Sequence, residues 1–131
     1  MMNEQVIDHF TKPRNMGRLT RATVVGQGGD PGCGDYVELY LLLENDHIIE
    51  VSAMVYGCPY AIATTSVFTE LVKGKSLDDA LEVDGEAVVG VLGEVPEAKR
   101  HCSLMGPEAL KHCVSQYILQ RICTPCTSAD D

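Results

Sequence analysis

Long apolar runs are missing from this 131-residue chain. No stretch approaches the roughly 18 uninterrupted apolar residues that a helical membrane span requires, so a membrane anchor of that kind is not expected. The opening Met1-Met2-Asn3-Glu4-Gln5-Val6-Ile7-Asp8 carries no basic n-region, and no apolar h-region follows it. An export signal is therefore not expected, and a cytoplasmic location is. Cations are scarce: ten Lys and Arg stand against nineteen Asp and Glu, for a net charge of −9. That balance disfavours nucleic acid and anionic membrane as partners, because both need a cationic face; a partner with a basic docking surface fits better. Internal repeats, low-complexity runs and interdomain linkers are also missing, which leaves one domain large enough to bury a core without disulfides. Cysteine, in contrast, is plentiful at six. Where thiols stay reduced, clustered cysteines point to metal or catalysis rather than to a disulfide framework.

The coarse pattern is strands first, helices after. Asn3 is placed to cap a short helix carrying Val6, Ile7 and Phe10 on one face, stopped by Pro13. Ala22 to Gly26 reads as a strand ahead of the Gly-rich Gly26-Gln27-Gly28-Gly29. Val37, Leu39, Leu41 and Leu43 alternate with Glu38 and Tyr40, and Ile49, Val51, Ala53 and Val55 alternate with Glu50 and Ser52. With a turn at Glu44-Asn45-Asp46-His47 this predicts an antiparallel hairpin with one buried face. Pro59 opens a helix that ends at Lys73-Gly74, and Ser76 with Asp79 resembles a capping box for a short one. Glu86 to Leu92 forms another, closed by Gly93. Pro107 opens the last helix, with Leu110, Cys113, Val114, Tyr117 and Ile118 toward the core. The fold class is α+β: a small three-stranded antiparallel sheet packed against helices. Residues 1–122 form the domain, and 123–131 a cysteine-containing tail.

Three cysteines sit where the chain changes direction: Cys33 in Asp30-Pro31-Gly32-Cys33-Gly34-Asp35, Cys58 in Tyr56-Gly57-Cys58-Pro59, and Cys102 in Arg100-His101-Cys102-Ser103. Core-filling cysteines sit inside periodic apolar runs, as Cys113 does. These three are bracketed by Gly, Pro, Asp and His instead. Cys58 precedes a helix, where unpaired N–H groups favour a thiolate, and Lys99, Arg100 and His101 are expected to lower the Cys102 pKa. Three thiolates in one place repel, so a cation is needed: Zn²⁺, Fe²⁺ or an iron–sulfur cluster, with Asp35 or His101 as a fourth ligand. Spacings of 25 residues (33 to 58) and 44 (58 to 102) are not those of a zinc knuckle, so the fold has to assemble the site. The bland alternatives are scattered structural cysteines, a turn residue at Asp35 and a surface histidine at His101. His9, His47 and His112 are isolated and receive no role.

Several segments together resemble the NifU/IscU family of scaffolds for iron–sulfur cluster assembly. They are Val6-Ile7-Asp8-His9-Phe10-Thr11-Lys12-Pro13-Arg14-Asn15-Met16-Gly17, Gly32-Cys33-Gly34-Asp35, Tyr56-Gly57-Cys58-Pro59-Tyr60-Ala61-Ile62-Ala63, Val72-Lys73-Gly74-Lys75-Ser76-Leu77 and Lys99-Arg100-His101-Cys102-Ser103. The resemblance covers about residues 3 to 122. It implies a SufE/NifU-like fold and a non-enzymatic scaffold. That scaffold would receive iron and persulfide sulfur from a cysteine desulfurase, build a transient [2Fe–2S] cluster and pass it to apo iron–sulfur acceptor proteins, with an electron donor such as ferredoxin. Cys33, Cys58 and Cys102 would be ligands, Asp35 and His101 labile or alternative ligands, and Cys102 the persulfide acceptor. Asp35, a harder and weaker partner for iron than sulfur, would keep the cluster loose.

The runner-up is a zinc-dependent sulfurtransferase resembling the SufU branch, with Zn²⁺ in the same pocket and Cys102 relaying sulfur. His101 favours the scaffold, as does the lack of a SufU-like insertion between Leu77 and His101. A structural zinc domain is the third reading. IscU-type members carry an apolar Leu-Pro-Pro-Val-Lys segment read by an Hsp70-type chaperone. Here Glu94-Val95-Pro96-Glu97-Ala98-Lys99 adds two acids, which weakens the case for that partner. Cys123-Thr124-Pro125-Cys126 is a further departure: a redox dithiol, a second metal grip and an inert tail all remain open.

Overall fold

The computed structural model describes residues 3–30, 32 and 34–127, with side chains in that range as far as Arg121. Helix α1 (Glu4–Thr11) opens the chain, its first turn capped by Asn3, which accepts the Val6 N–H at 2.9 Å. Strands β1 (Val24–Asp30), β2 (Asp35–Glu44) and β3 (His47–Tyr56) form one antiparallel sheet in the order β1-β2-β3. Helices α2 (Pro59–Val72), α3 (Leu77–Leu81) and α4 (Gly85–Leu92) follow. A 3-10 helix (Glu97–Leu104) then leads directly into α5 (Met105–Thr127). The expected α+β architecture is present. Among the described residues, no helix is long and apolar enough to cross a membrane.

The hairpin follows from the alternation in its strands and from Asn45 and Asp46, which hold φ of 54° and 61° at the turn. A register shift between Leu42 and Leu43 leaves Ile49 over: Leu42 pairs with Glu50 and Leu43 with Ile48. Ile48 is therefore the fully buried residue and Ile49 is 44% exposed, opposite to the simple alternation read from the sequence. Val37, Leu39, Leu41, Val51 and Ala53 share the core with Val67, Phe68 and Val72 of α2 and with Ala109, Leu110 and Cys113 of α5. Ile7 and Ile118, both assigned to the interior from periodicity, are exposed. The neighbours on their faces, Val6 and Cys113, take the burial instead.

β1 is longer than expected, because its glycines belong to the strand. A Cβ at Gly26 would lie 2.6 Å from the Ala109 carbonyl oxygen, and one at Gly28 only 2.1 Å from that of Met105. The glycines are there so that α5 can lie on the strand backbone, and not to make a turn. Helix α5 also shields this sheet edge: the Gln27 N–H donates to His112 Nδ1 and the Gly29 N–H to Glu108 Oε1, each at 2.9 Å. On the β3 edge, Ala53 exchanges backbone bonds with Asn15 and Gly17.

Two boundaries move. The last helix starts at Met105, two residues before Pro107, and its backbone continues to Thr127. Residues 123–127, read as the start of a tail, are thus helical in backbone.

Gly28→Ala is expected to destabilise the protein by about 3 kcal/mol, since the obstruction is helix backbone and cannot rotate away. Urea unfolding checks this; a variant as stable as the parent would show that α5 can shift off β1 without loss.

Candidate metal centre

The ends of three elements meet at one pole of the sheet. Asp35 is the first residue of β2, Cys58 is the N-cap of α2, and His101 and Cys102 lie near the end of the 3-10 helix. The Cys58 and Cys102 Sγ atoms are 3.9 Å apart. A carboxylate oxygen of Asp35 completes a group whose ligand atoms all lie within 4.8 Å of one another. His101 Nε2 is 3.3 Å from Asp35 Oδ2 and 3.7 Å from Cys102 Sγ. Of the five residues singled out by sequence, four are brought together; Cys33 lies outside the described residues, as do the side chains of Cys123 and Cys126.

Backbone chemistry explains how the cluster is held. The Cys58 N–H, unpaired at the start of α2, donates to Asp35 Oδ1 at 3.2 Å. Gly57, at φ 153°, makes that possible: a Cβ there would come within 2.2 Å of the same oxygen. Tyr36 and Tyr56, directly paired across β2 and β3, stack at 4.7 Å and close the sheet just before these residues diverge. The buried Thr64 hydroxyl sits 2.7 Å from the Tyr60 carbonyl and 3.1 Å from that of Cys102, tying the 3-10 helix to α2. The Ser103 hydroxyl, also buried, bonds the Arg100 carbonyl within the same turn.

Electrostatics depart from expectation at Cys102. The cations next to it in sequence were expected to lower its pKa. Instead, burial pushes the Cys102 thiol up to about 12, with Cys58 and the Asp35 carboxylate adding to the rise and Lys99 opposing it. The side chain is wholly buried, while Arg100 and His101 are exposed. Arg100 stands exposed, and the Lys99 charge does not offset the burial of the thiol. Without metal, Cys102 is therefore a neutral thiol at physiological pH, and a cation must displace its proton to bind.

Two structural roles were not legible beforehand. His9 is buried, with Nδ1 2.8 Å from the Ser66 hydroxyl, and holds α1 on α2. His112 caps the β1 edge as described. A histidine one turn from apolar neighbours, as His9 is from Val6, was the available signal for the first. Cys113 fills the core as expected, its thiol donating to the Leu39 carbonyl at 3.4 Å.

The donor set suits a soft or borderline metal. A tetrahedral ion with metal–sulfur bonds of about 2.3 Å separates its two sulfurs by about 3.8 Å, close to the 3.9 Å found. A carboxylate oxygen and an imidazole nitrogen stand where further ligands are needed.

Burial also pushes the Cys113 thiol up to about 12. An acid whose folded pKa lies above its ordinary value, 9 for these thiols, binds more protons folded than unfolded between the two values. Stability is then complete below pH 9 and lost as pH rises toward 12. Metal-free protein should follow this course in urea unfolding across that range, and Cys113→Ala should show a shallower alkaline loss. An identical pH slope in the variant would contradict the assignment.

Comparison with known proteins bears on this geometry. The NifU-like N terminal domain family matches residues 1–124. The iron-sulfur cluster assembly scaffold protein IscU 1 of Archaeoglobus fulgidus is 38% identical over 117 residues, spanning 89% of this chain and 76% of that protein. The scaffold protein IscU of Aquifex aeolicus is 40% identical over 121 residues, 91% of this chain and 77% of its own. The solved N-terminal structure of a nitrogen-fixing NifU-like protein from Brucella abortus has a TM-score of 0.75 at 18% identity, covering 90% and 94% of the two chains. That last likeness speaks to the fold alone.

Proposed function

Because this chain belongs to the NifU-like N terminal domain family, we propose that it is a scaffold on which iron–sulfur clusters are assembled and then passed on. The observation that carries this reading is the convergence of Cys58, Cys102 and Asp35 donor atoms within 4.8 Å, beside His101. The cargo is a [2Fe–2S] cluster, built from Fe²⁺ and sulfide. Cys33, Cys58 and Cys102 supply thiolates, and Asp35 and His101 are the exchangeable donors. Cys102 accepts persulfide sulfur from a cysteine desulfurase. A donor such as ferredoxin provides electrons, and apo iron–sulfur proteins take the finished cluster. The protein works in the cytoplasm. The scaffold domain comprises residues 1–122, with Cys123 and Cys126 outside the ligand set, and isolated protein can carry Zn²⁺ in the same pocket.

The residue types match the task. Thiolates grip iron firmly, whereas a carboxylate is a hard, weaker partner and an imidazole leaves when it takes a proton. Asp35 is held by the Cys58 N–H and by His101, so its oxygen stays available at the lip without being buried. A donor set of mixed strength forms a cluster and lets it go. The pocket also stores the Cys102 thiol as a neutral group, so loading it is coupled to proton release.

Anaerobic incubation with Fe²⁺, L-cysteine and a cysteine desulfurase tests the reading. It should yield a stoichiometric, EDTA-labile [2Fe–2S] chromophore that apo-ferredoxin can take up. Retained zinc with sulfur relayed through Cys102 and no cluster would point instead to the zinc-dependent sulfurtransferase. Asp35→Ala should hold its cluster longer than the parent, by about tenfold if one charge-assisted contact is what loosens it, read as the half-life against EDTA. Faster loss from the variant would remove Asp35 from that role.

A further inference from the structure

Sulfur arriving as a persulfide is zero-valent, and a cluster needs it as sulfide. We propose that Cys58 is a resolving thiol: it attacks the inner sulfur of a Cys102 persulfide, closes a Cys58–Cys102 disulfide and expels sulfide inside the metal pocket. This rests on the reading of Cys102 as the persulfide acceptor.

Geometry selects the attacking group and the atom attacked. In a Cys102 persulfide the inner sulfur is Cys102 Sγ, which lies 3.9 Å from Cys58 Sγ, the contact distance of two sulfurs. Reaction requires closing that gap toward the roughly 2.05 Å of a disulfide. Cys58 is placed to do so. It is the N-cap of α2 but makes no side-chain capping bond, and it is only partly buried. Cys102, in contrast, is wholly buried, and the 3-10 helix that carries it is tied down by Thr64. The more exposed, uncapped thiol approaches the buried one.

The direction of cleavage follows from where charge is left. Attack on the outer sulfur would leave a thiolate on the fully buried Cys102 Sγ, beside the Asp35 carboxylate. Attack on the inner sulfur places the charge on HS⁻, a small anion that departs next to His101, whose side chain is 56% exposed. The second course is the easier one.

The step balances. The bond between Cys102 Sγ and the outer sulfur breaks, and one between Cys58 Sγ and Cys102 Sγ forms. The outer sulfur gains two electrons and becomes sulfide, the two cysteine sulfurs lose them, and the Cys58 thiol proton leaves with the sulfide. An external dithiol or two-electron donor must then reduce the disulfide before these thiols can bind iron. On this account the electron donor acts on the disulfide, and each sulfide released leaves one disulfide to be reset.

The test uses the metal-free full chain under anaerobic conditions, without thiol reductant, mixed with a cysteine desulfurase and L-cysteine. Samples are quenched at intervals with an alkylating agent for peptide mass spectrometry, and free sulfide is measured in parallel against a reaction lacking the scaffold. In the wild type the Cys58–Cys102 disulfide and sulfide should appear together and in equal amounts. Cys58→Ser, its fold checked by circular dichroism, should instead accumulate persulfide on Cys102, with sulfide release reduced by about tenfold or more. A lasting Cys102 persulfide in the wild type, with no disulfide, would overturn the resolving role while leaving Cys102 as acceptor. A disulfide from Cys102 to Cys33 would overturn the assignment to Cys58. Failure of any sulfur to reach Cys102 in either protein would remove the acceptor reading and this proposal together.

Discussion

Helix α5 lies against the bare backbone of β1, and that contact sets the position of almost everything at the candidate metal centre. Gly26 and Gly28 leave no side chain between strand and helix, so Met105, Ala109 and Cys113 sit directly over the strand. Met105 is also where the 3-10 helix ends, three residues after Cys102. Fixing the start of α5 on Gly28 therefore fixes how far the 3-10 helix extends toward β2 and α2. Thr64 ties the same segment from the other side, through the Cys102 carbonyl. The two sulfurs come to 3.9 Å because both anchors agree. Neither anchor is a donor of the metal group.

A second constraint acts on charge. Two thiolates and a carboxylate this close would repel one another. Burial resolves this by keeping Cys102 neutral, which lets the pocket exist without metal at little electrostatic cost. Asp35, which keeps two hydrogen-bond partners in the Cys58 N–H and His101, holds the negative charge at the lip. The pocket is thus set to attract a cation and to give up the Cys102 proton when one enters.

Much of the fold was legible because its cues are local. Asn3, Ser76 and Pro59 mark helix starts that the structure reproduces, and the positive φ values of Asn45 and Asp46 follow from turn residues between two alternating strands. The misreadings have a common cause. The first strand reads as ending at Gly26 because the helix that needs the glycines is about eighty residues away in the chain. Ile49 reads as core because a bulge opposite Leu42 and Leu43 is invisible to strict alternation. The Cys102 thiol reads as acidic because adjacency to Lys99 and Arg100 says nothing about burial: Lys99 does pull its pKa down, but desolvation outweighs it. For the site itself, motif context selected Asp35, Cys58, His101 and Cys102 as residue types. Their separations of 23 residues between Asp35 and Cys58 and 44 between Cys58 and Cys102 carry no distance information. The roles of Gly57 and Thr64, which only make room or hold backbone, leave no chemical signature to read.

The placement of the centre at the ends of elements, and not within them, bears on release. Asp35 begins a strand and Cys58 caps a helix, so these two stand at the margins of the hydrogen-bond ladders, whereas Cys102 is buried and held through its carbonyl by Thr64. The opposite pole is built differently. There Asp46 at the hairpin turn accepts bonds from Tyr117 and Arg121 of α5, and Ile48 exchanges backbone bonds with Gly74 and Lys75. These contacts join β3 and α5 to the start of α3 and hold the core closed at that end. The core of Leu39, Leu41, Phe68 and Leu110 is thus closed at the pole away from the grouped donor atoms. On the proposed scaffold reading cargo leaves without unfolding, the requirement that separates a scaffold from a structural metal site, where the ion is part of what holds the fold together.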